Sequence, residues 1–527
     1  MYQDSIASMM RYLPVFYSLT LLCLAASLQA ADKRPNILLC ISDDQSYADT
    51  GAAHNRVVKT PAFDRVAREG IHFFNAFCNA PTCGPSRSAI LTGQPIWRLE
   101  EAGNIHSTLP AKFKTYTELL KDAGYAIGFT GKGWSPGRLE PGGRKTNPAG
   151  AEFSRRRLKP PFRSMANKDY AANFEDFLAQ VGKDQPFCFW LGTHEPHRGF
   201  DKGAGKRTGK DPARVTVPPI FPDHPIVRND LLDYFVEIEH FDTMVGRAIA
   251  TLEKRGQLDN TIVVVTSDHG MPFPRAKASL YDAGTRVPLA IRWPGGIRNP
   301  GRGYGRMLNL STLAPTFLQA AGLDVPEEMK QSSEDLHFIN DLMAAFSNEG
   351  RTELRLFTDF SAAFIAMERH DGCRKGGKGY PCRAIRTHKY LYIRNYEPGR
   401  WPAGDPDRRV CARDIPFGEV DSSPTKKLLM DNKDSPGFKH LYDLAFAKRP
   451  GEELYDIRKD PGQLVNLALK PEHAAARKKL SARLQKHLEK TGDPRALGKD
   501  APWDYYPYYG RKVNKDWKVD PKPEKQP

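Results

Sequence analysis

Four short apolar runs stand out along the chain, and each breaks off into polar residues of an unusual kind. Ile37-Leu38-Leu39-Cys40-Ile41 leads to Asp43-Asp44, and Ala126-Ile127-Gly128-Phe129-Thr130 leads to Lys132. Phe187-Cys188-Phe189-Trp190-Leu191 leads to His194, Glu195 and His197, and Thr261-Ile262-Val263-Val264-Val265 leads to Asp268-His269. Runs that are apolar at every position predict strands of a sheet covered on both faces. Helix signals separate them. Thr60-Pro61 opens a helix with Phe63, Val66 and Ala67 on one face, closed by Gly70. Thr115 with Glu118 forms a capping-box pattern before Leu119-Leu120, with Gly124 as the stop. A longer helix is predicted from Leu231 to Arg255, ending at Gly256. This alternation predicts a large three-layer α/β domain with a mixed, mostly parallel sheet. Ligands of such folds sit beyond the carboxyl ends of the strands, so the polar residues can converge despite their spread in sequence.

From about residue 350 the pattern changes. Arg383 to Tyr396 predicts strands of a small antiparallel sheet, and Glu453-Leu454-Tyr455-Asp456 to Asn466-Leu467 reads as turn-rich. An amphipathic helix follows from about Pro471 to Leu488, and Trp503 to Pro527 reads as a Pro-, Lys- and Tyr-rich surface arm or disordered tail. At the other end, Arg11 precedes the apolar run Tyr12–Ala26, which ends in small residues near Ala30-Ala31. That is the pattern of a secretory signal peptide, too short for a membrane span. The predicted organisation is a signal peptide over 1–30, a catalytic domain over 31–350, a C-terminal subdomain over 351–498 and a tail over 499–527. No later stretch is long and apolar enough to span a bilayer. The expected location is therefore periplasmic or secreted.

Composition adds a bias in charge. The formal net charge is +16, which favours polyanionic partners. No nucleic-acid fold signature accompanies it, and export argues against DNA. Basic residues cluster at Arg155-Arg156-Arg157 with Lys159 and Arg163, and again at Arg198, Lys202, Lys206, Arg207 and Lys210. Both clusters are expected near the mouth of a site. Of the 8 cysteines, none forms a C-x-x-C pair that would suggest zinc. Cys373 and Cys382 bracket a Gly/Lys loop and could pair in an oxidising compartment. Cys40 and Cys188 lie in the predicted strands as buried thiols.

The densest chemistry lies in Cys83-Gly84-Pro85-Ser86-Arg87, followed by Ser88-Ala89-Ile90-Leu91-Thr92-Gly93. A helix is predicted from near Ser86, whose free amides and dipole would favour an anion beside Cys83. Asp43, Asp44, Asp268 and His269 would form a mostly hard-oxygen cluster suited to Ca²⁺ or Mg²⁺ rather than zinc. Alone, Asp43-Asp44 reads as a turn or cap and Cys83 as a buried thiol. Their company with one another gives them meaning.

Together these residues resemble the formylglycine-dependent type I sulfatases of the alkaline phosphatase superfamily, from Pro35 through the C-terminal helix. Within that family the chain is similar to N-sulfoglucosamine sulfohydrolase and its bacterial relatives. His194-Glu195-Pro196-His197-Arg198, Ser267-Asp268-His269-Gly270-Met271-Pro272-Phe273-Pro274, Glu453-Leu454-Tyr455-Asp456 and Asp493-Pro494 carry that similarity. The resemblance implies that a maturase oxidises Cys83 to formylglycine. It also implies that Cys83 binds one calcium ion with Asp43, Asp44, Asp268 and His269. Lys132 and Lys277 would contact the sulfate, Arg87 would face the hydrate, and His194 would assist the leaving group. His106, Trp134, His197 and Arg198, with the loop Trp97 to Leu109, are the expected sugar-binding residues.

One position departs from the family. Sulfatases commonly carry histidine two residues after the lysine matching Lys132, and here that residue is Trp134. His106 and His197 are the candidates to replace it as the base that acts during sulfate expulsion. The leading expectation is hydrolysis of O-sulfate esters on a sulfated poly- or oligosaccharide. The alternatives are an N-sulfoglucosamine sulfohydrolase, a phosphonate or phosphodiester hydrolase of the same superfamily, and a non-catalytic binder of anionic glycans. The sequence fixes neither the sugar nor the oligomeric state.

Overall fold

The computed structural model describes residues 34–330 and 362–523. The expected signal peptide and the boundary placed at residue 350 lie outside the described residues.

The four apolar runs form strands β1 (Asn36–Ser42), β3 (Ala126–Gly131), β5 (Phe187–Gly192) and β6 (Thr261–Ser267). With β2 (Ile71–Phe73), β4 (Ala151–Glu152), β7 (Leu289–Arg292) and β8 (Arg302–Tyr304) they build one sheet in the order β8-β2-β7-β6-β1-β5-β3-β4. Strand β1 runs parallel to both β5 and β6, pairing Leu38 with Phe189 and Val263. Only β7 runs antiparallel, against β2 and β6. The sheet is therefore mixed and mostly parallel, as expected.

Alternate residues of β1 serve opposite layers. Leu38 and Cys40 pack with Val263 and Val265 under α1 (Pro61–Glu69), α4 (Tyr170–Leu178) and α5 (Pro225–Lys254), through Phe63, Phe174 and Phe241. Ile37, Leu39 and Ile41 face Ile90 and Leu91 of α2 (Cys83–Thr92) and Leu120 of α3 (Tyr116–Asp122). Every residue of β1 is buried, which explains the unbroken apolar run. The predicted caps are in place. Thr115 accepts from the Glu118 amide while Glu118 Oε2 accepts from the Thr115 amide at 2.9 Å. Gly70 ends α1 where a Cβ would lie 1.9 Å from the Ile291 carbonyl oxygen. Helix α5 begins earlier than expected, with His224 capping the Ile226 amide at 3.1 Å.

The C-terminal region forms a second, antiparallel sheet of β9 (Ala363–Met367), β10 (Cys382–Arg386), β11 (Tyr390–Asn395) and β12 (Glu452–Asp456), in that order. The expected antiparallel sheet is present; Glu453–Asp456 is its edge strand, and the rest of the segment to Leu467 is turn-rich as expected. Helix α6 (Ala474–Lys490) covers it through Leu480, Leu484 and Leu488. A buried charge network sits between them: Arg383 pairs with Asp493 at 2.6 Å and with Glu368 at 2.7 Å.

The segment expected to be a surface arm or disordered tail is anchored instead. Trp503 is 2% exposed and donates to the Glu100 carbonyl at 2.9 Å. Farther on, Trp517 is buried with Tyr508 and donates to the Arg374 carbonyl at 3.2 Å. Between them Arg369 donates to the carbonyls of Tyr506 and Pro507, each at 2.9 Å. Three aromatic anchors outweigh the polar composition. Trp503→Ala is expected to destabilise the fold by about 3–5 kcal/mol, read as a lower denaturant midpoint.

Candidate active site

The polar residues that follow β6, β1, β5 and β3 gather at the carboxyl edge of four adjacent strands. Asp43 and Asp44 follow β1, and Asp44 turns the chain with a left-handed φ of 76°. Asp268-His269 follow β6, Lys132 follows β3, and His194 follows β5. From the opposite layer α2 brings Cys83 as its first residue, three positions earlier than the predicted start at Ser86. Pro85 fits inside that first turn because the amides there have no intrahelical partner.

Asp43, Asp44, Cys83 and His269 each offer a buried donor atom, and these atoms lie within 4.8 Å of one another. Cys83 Sγ is 3.5 Å from Asp43 Oδ1 and 3.3 Å from His269 Nε2. Asp268 stands beside this group rather than within it. Its Oδ2 accepts from Arg87 Nε at 2.9 Å, and its Oδ1 accepts from the backbone amides of Asp44 and His269. Two buried atoms remain without hydrogen-bond partners: Asp44 Oδ1 and Arg87 Nη2. His269 Nε2 lies 2.9 Å from Asp44 Oδ1, yet it makes no well-aligned hydrogen bond there. A hard cation would satisfy that carboxylate oxygen, and an anion bound at Cys83 would satisfy the guanidinium. Two carboxylates, an imidazole nitrogen and the atom at position 83 could together hold a metal ion.

The cations are held by the same carboxylates. Lys132 Nζ pairs with Asp43, while Lys277 Nζ lies 2.8 Å from Asp44 and 3.1 Å from Asp421. Burial pushes both aspartates up, but the surrounding cations prevail. Lys132 leads in holding Asp43 well below the carboxylate range, and Lys277 leads in holding Asp44 down to about 2. For His269 burial acts downward, but Asp268 and Asp44 outweigh it and raise its pKa. Enclosure and the Lys132 ammonium hold His194 down to about 4. His194 is therefore neutral at pH 7.

These groups form the floor of a cavity of about 560 Å³ reached by Cys83, Lys132, His194, His197 and Lys277. His197 Nε2 lies 3.1 Å from Lys277 Nζ and 4.0 Å from Asp44 Oδ2. His106 lines the side wall with Ile105, its ring edge-on to Tyr508 at 5.3 Å. The loop expected to shape the pocket thus contributes through His106, whereas Trp97 is buried against Thr491.

Two expected sugar contacts do other work. Trp134 is buried, does not line the cavity, and donates to Ser88 Oγ of α2 at 2.8 Å. It braces the helix that carries Cys83. Arg198 reaches the cavity wall, but its guanidinium is occupied by Asp230 at 2.8 and 2.9 Å and lies between the rings of Phe200 and Phe273. It is also the sole member of the two basic clusters that lines this cavity.

The outer wall comes from residues that the sequence did not single out. His370, Asp371, Arg413, Asp421, Tyr508 and Arg511 all line it. His370 Nδ1 is 2.6 Å from the hydroxyl of Thr82, the neighbour of Cys83. One signal was available, because Arg369-His370-Asp371 follows the apolar strand β9 just as the other polar residues follow theirs. Glu237 also lines the cavity and accepts from Ser164 Oγ at 2.6 Å. Burial raises its pKa from 4.5 to about 8. The folded protein thus keeps a proton that the unfolded chain loses, so stability from this site falls between pH 4.5 and about 8. Glu237→Gln is expected to flatten that part of a Tm-against-pH profile, and parallel profiles would remove the assignment.

A carboxylate cluster, a cysteine and two lysines thus meet at one edge of a mixed, mostly parallel sheet, in a fold shared with sulfatase structures. The sulfatase family model matches residues 35–323, and the chain belongs to the sulfatase family. It is a sulfuric ester hydrolase. An ulvan-active sulfatase of Formosa agariphila is 25% identical over 479 residues, covering 88% of this chain and 82% of that one. The N-sulphoglucosamine sulphohydrolase of Homo sapiens is 27% identical over 493 residues, covering 87% and 91%. A solved structure in complex with its substrate D-glucosamine-2-N,6-O-disulfate shares the fold, with a TM-score of 0.62 at 20% identity. It covers 89% of this chain and is itself covered completely (100%).

Proposed function

We propose that the protein is an exported sulfatase that hydrolyses O-sulfate esters on a sulfated poly- or oligosaccharide, with Cys83 converted to formylglycine and one calcium ion bound. The observation that carries the mechanism is Cys83 at the start of α2, within 3.5 Å of Asp43 and 3.3 Å of His269. Asp43, Asp44, Asp268, His269 and position 83 would hold the ion, Asp268 Oδ1 lying 3.9 Å from His269 Nε2. Once formed, the aldehyde hydrate supplies a nucleophile that no encoded side chain offers, and the cation supplies charge neutralisation at the sulfate.

The remaining chemistry belongs to encoded side chains. Lys132 and Lys277 bind sulfate oxygens, and their ammonium groups stabilise charge that builds there. His194 stands at the leaving-group side. Burial first and the Lys132 ammonium second keep its pKa low; a bound sulfate would offset the second of these, and a proton held on the imidazole could pass to the departing oxygen. Arg87, whose Nη2 makes no hydrogen bond and lies 3.9 Å from Asp43 Oδ1, orients the anionic hydrate. His106 and His197 both reach the cavity, and either can serve in place of the histidine that Trp134 displaces.

The basic charge of +16 and the N-terminal apolar run support an exported enzyme acting on polyanions. The curated relatives, which include ulvan-active enzymes, support a carbohydrate substrate. Among the described residues no helix is long and apolar enough to cross a membrane. The test is sulfate release from matched O-sulfated and N-sulfated oligosaccharides by protein co-produced with a formylglycine-generating enzyme. Faster release from O-sulfated sugars is expected. Preference for N-sulfate would favour the sulfohydrolase reading, and preference for phosphodiesters would overturn the sulfate-ester assignment.

A further inference from the structure

Cys373 does not sit with Cys382, the partner its sequence spacing suggested. Cys382 packs on β10 with Phe77, Leu280 and Tyr380, whereas Cys373 packs against Gly404 and Gly418. A Cβ built on Gly418 would lie 2.7 Å from Cys373 Cβ and 2.7 Å from Cys411 Sγ. Cys373 Cβ and Cys411 Sγ therefore cannot be separated by more than twice that distance. The backbone brings them together as well. The amide of Ala412 donates to the Gly372 carbonyl at 2.6 Å, so hydrogen-bonded residues flank both cysteines. Gly418 leaves the space between the two side chains open. A disulfide needs Cβ atoms about 4 Å apart, and the meeting of both side chains at Gly418 brings the pair toward that range.

We propose that Cys373 and Cys411 form a disulfide that clamps the outer wall of the active-site cavity. Both are unpaired thiols in this structure and fully buried at 0% exposure. The segments they would join carry the wall itself. Asp371 lies two residues before Cys373 and Arg413 two after Cys411, and they pair at 2.7 Å facing the cavity. Tyr508 donates to Asp371 at 2.5 Å, and the Trp517 ring lies over Gly372 and Ala412. A covalent link beneath them holds these groups in one arrangement and lowers the ordering cost of substrate binding.

In the reaction two S–H bonds break and one S–S bond forms. The two protons and two electrons pass to a disulfide-bearing thiol oxidase, which leaves as the dithiol. Burial raises both thiol pKa values, so the folded protein offers little thiolate for exchange. The link therefore forms before the wall closes, in an oxidising compartment. This step rests on the export proposed above and is independent of the sulfatase chemistry.

The experiment is peptide mapping of full-length protein exported to a bacterial periplasm and denatured in iodoacetamide without reductant. The expected result is one cross-linked species containing Cys373 and Cys411, split by dithiothreitol. Alkylation of both thiols, or a Cys373–Cys382 link, overturns the proposal. Mapping needs no turnover, so an inactive preparation decides it equally well. In a double-mutant cycle Cys373→Ala, Cys411→Ala and the double variant should show the same Tm loss. They should also share a several-fold rise in KM, with kcat changed less. Additive losses would mean two independent thiols and would also overturn the link.

Discussion

Replacing Cys83 by alanine is expected to abolish sulfate release, lowering kcat on the order of 10⁴-fold or more, with the fold intact. The expectation follows from position. Cys83 is 2% exposed at the first turn of α2, where its sulfur touches Asp43 and His269 and nothing else in the site can take its place. Alanine keeps the helix start and removes only the sulfur, so Tm should shift by no more than a few degrees. Ion chromatography of released sulfate, beside calorimetry of the same samples, reads both effects. Sulfate release at a substantial fraction of the wild-type rate by Cys83→Ala protein would end the formylglycine reading outright.

The second large effect is expected at Lys132. Its ammonium pairs with Asp43 and lies on the cavity floor beside Cys83. Lys132→Met keeps the length of the stem and removes the charge. We expect kcat/KM to fall by about 10²- to 10³-fold, the usual loss when one preorganised charge is withdrawn from a developing anion. Asp43 then loses its main cation, so added calcium should stabilise the variant more than the wild type, by Tm. Restored stability without restored rate is the expected pattern. Near-normal kcat/KM would remove Lys132 from the chemistry.

The four central strands and their polar ends were legible because burial on both faces leaves no polar position inside a strand. Site residues at strand ends could therefore be placed before any contact was known. Legibility failed where one partner decides a residue's role. Arg198 reads as a free cation until Asp230, on a different element, is seen to occupy it. Trp134 reads as a sugar platform until its indole is found on Ser88. Strand β12 holds only Leu454 and Tyr455 between Glu452-Glu453 and Asp456 at a sheet edge, an apolar run too short to mark a strand when its neighbour is unknown. His370 ends a strand in the same manner as His194, but its meaning depends on Thr82, far earlier in the chain. The tail misled for a different reason. Its composition is polar, and composition averages away the few aromatic residues that fix it.

That segment is synthesised hundreds of residues after Cys83, and its Tyr508 and Arg511 complete a cavity whose floor comes from far earlier in the chain. Tyr509 donates to the His106 carbonyl at 2.7 Å, and Val513 and Asn514 donate to that of Ala412. Until residues 508–511 have emerged, that part of the cavity wall is absent. The proposed conversion of Cys83 needs such an opening, because the finished protein hides the sulfur. Chain direction thus makes the cavity a late product of synthesis, assembled from segments that emerge far apart in time.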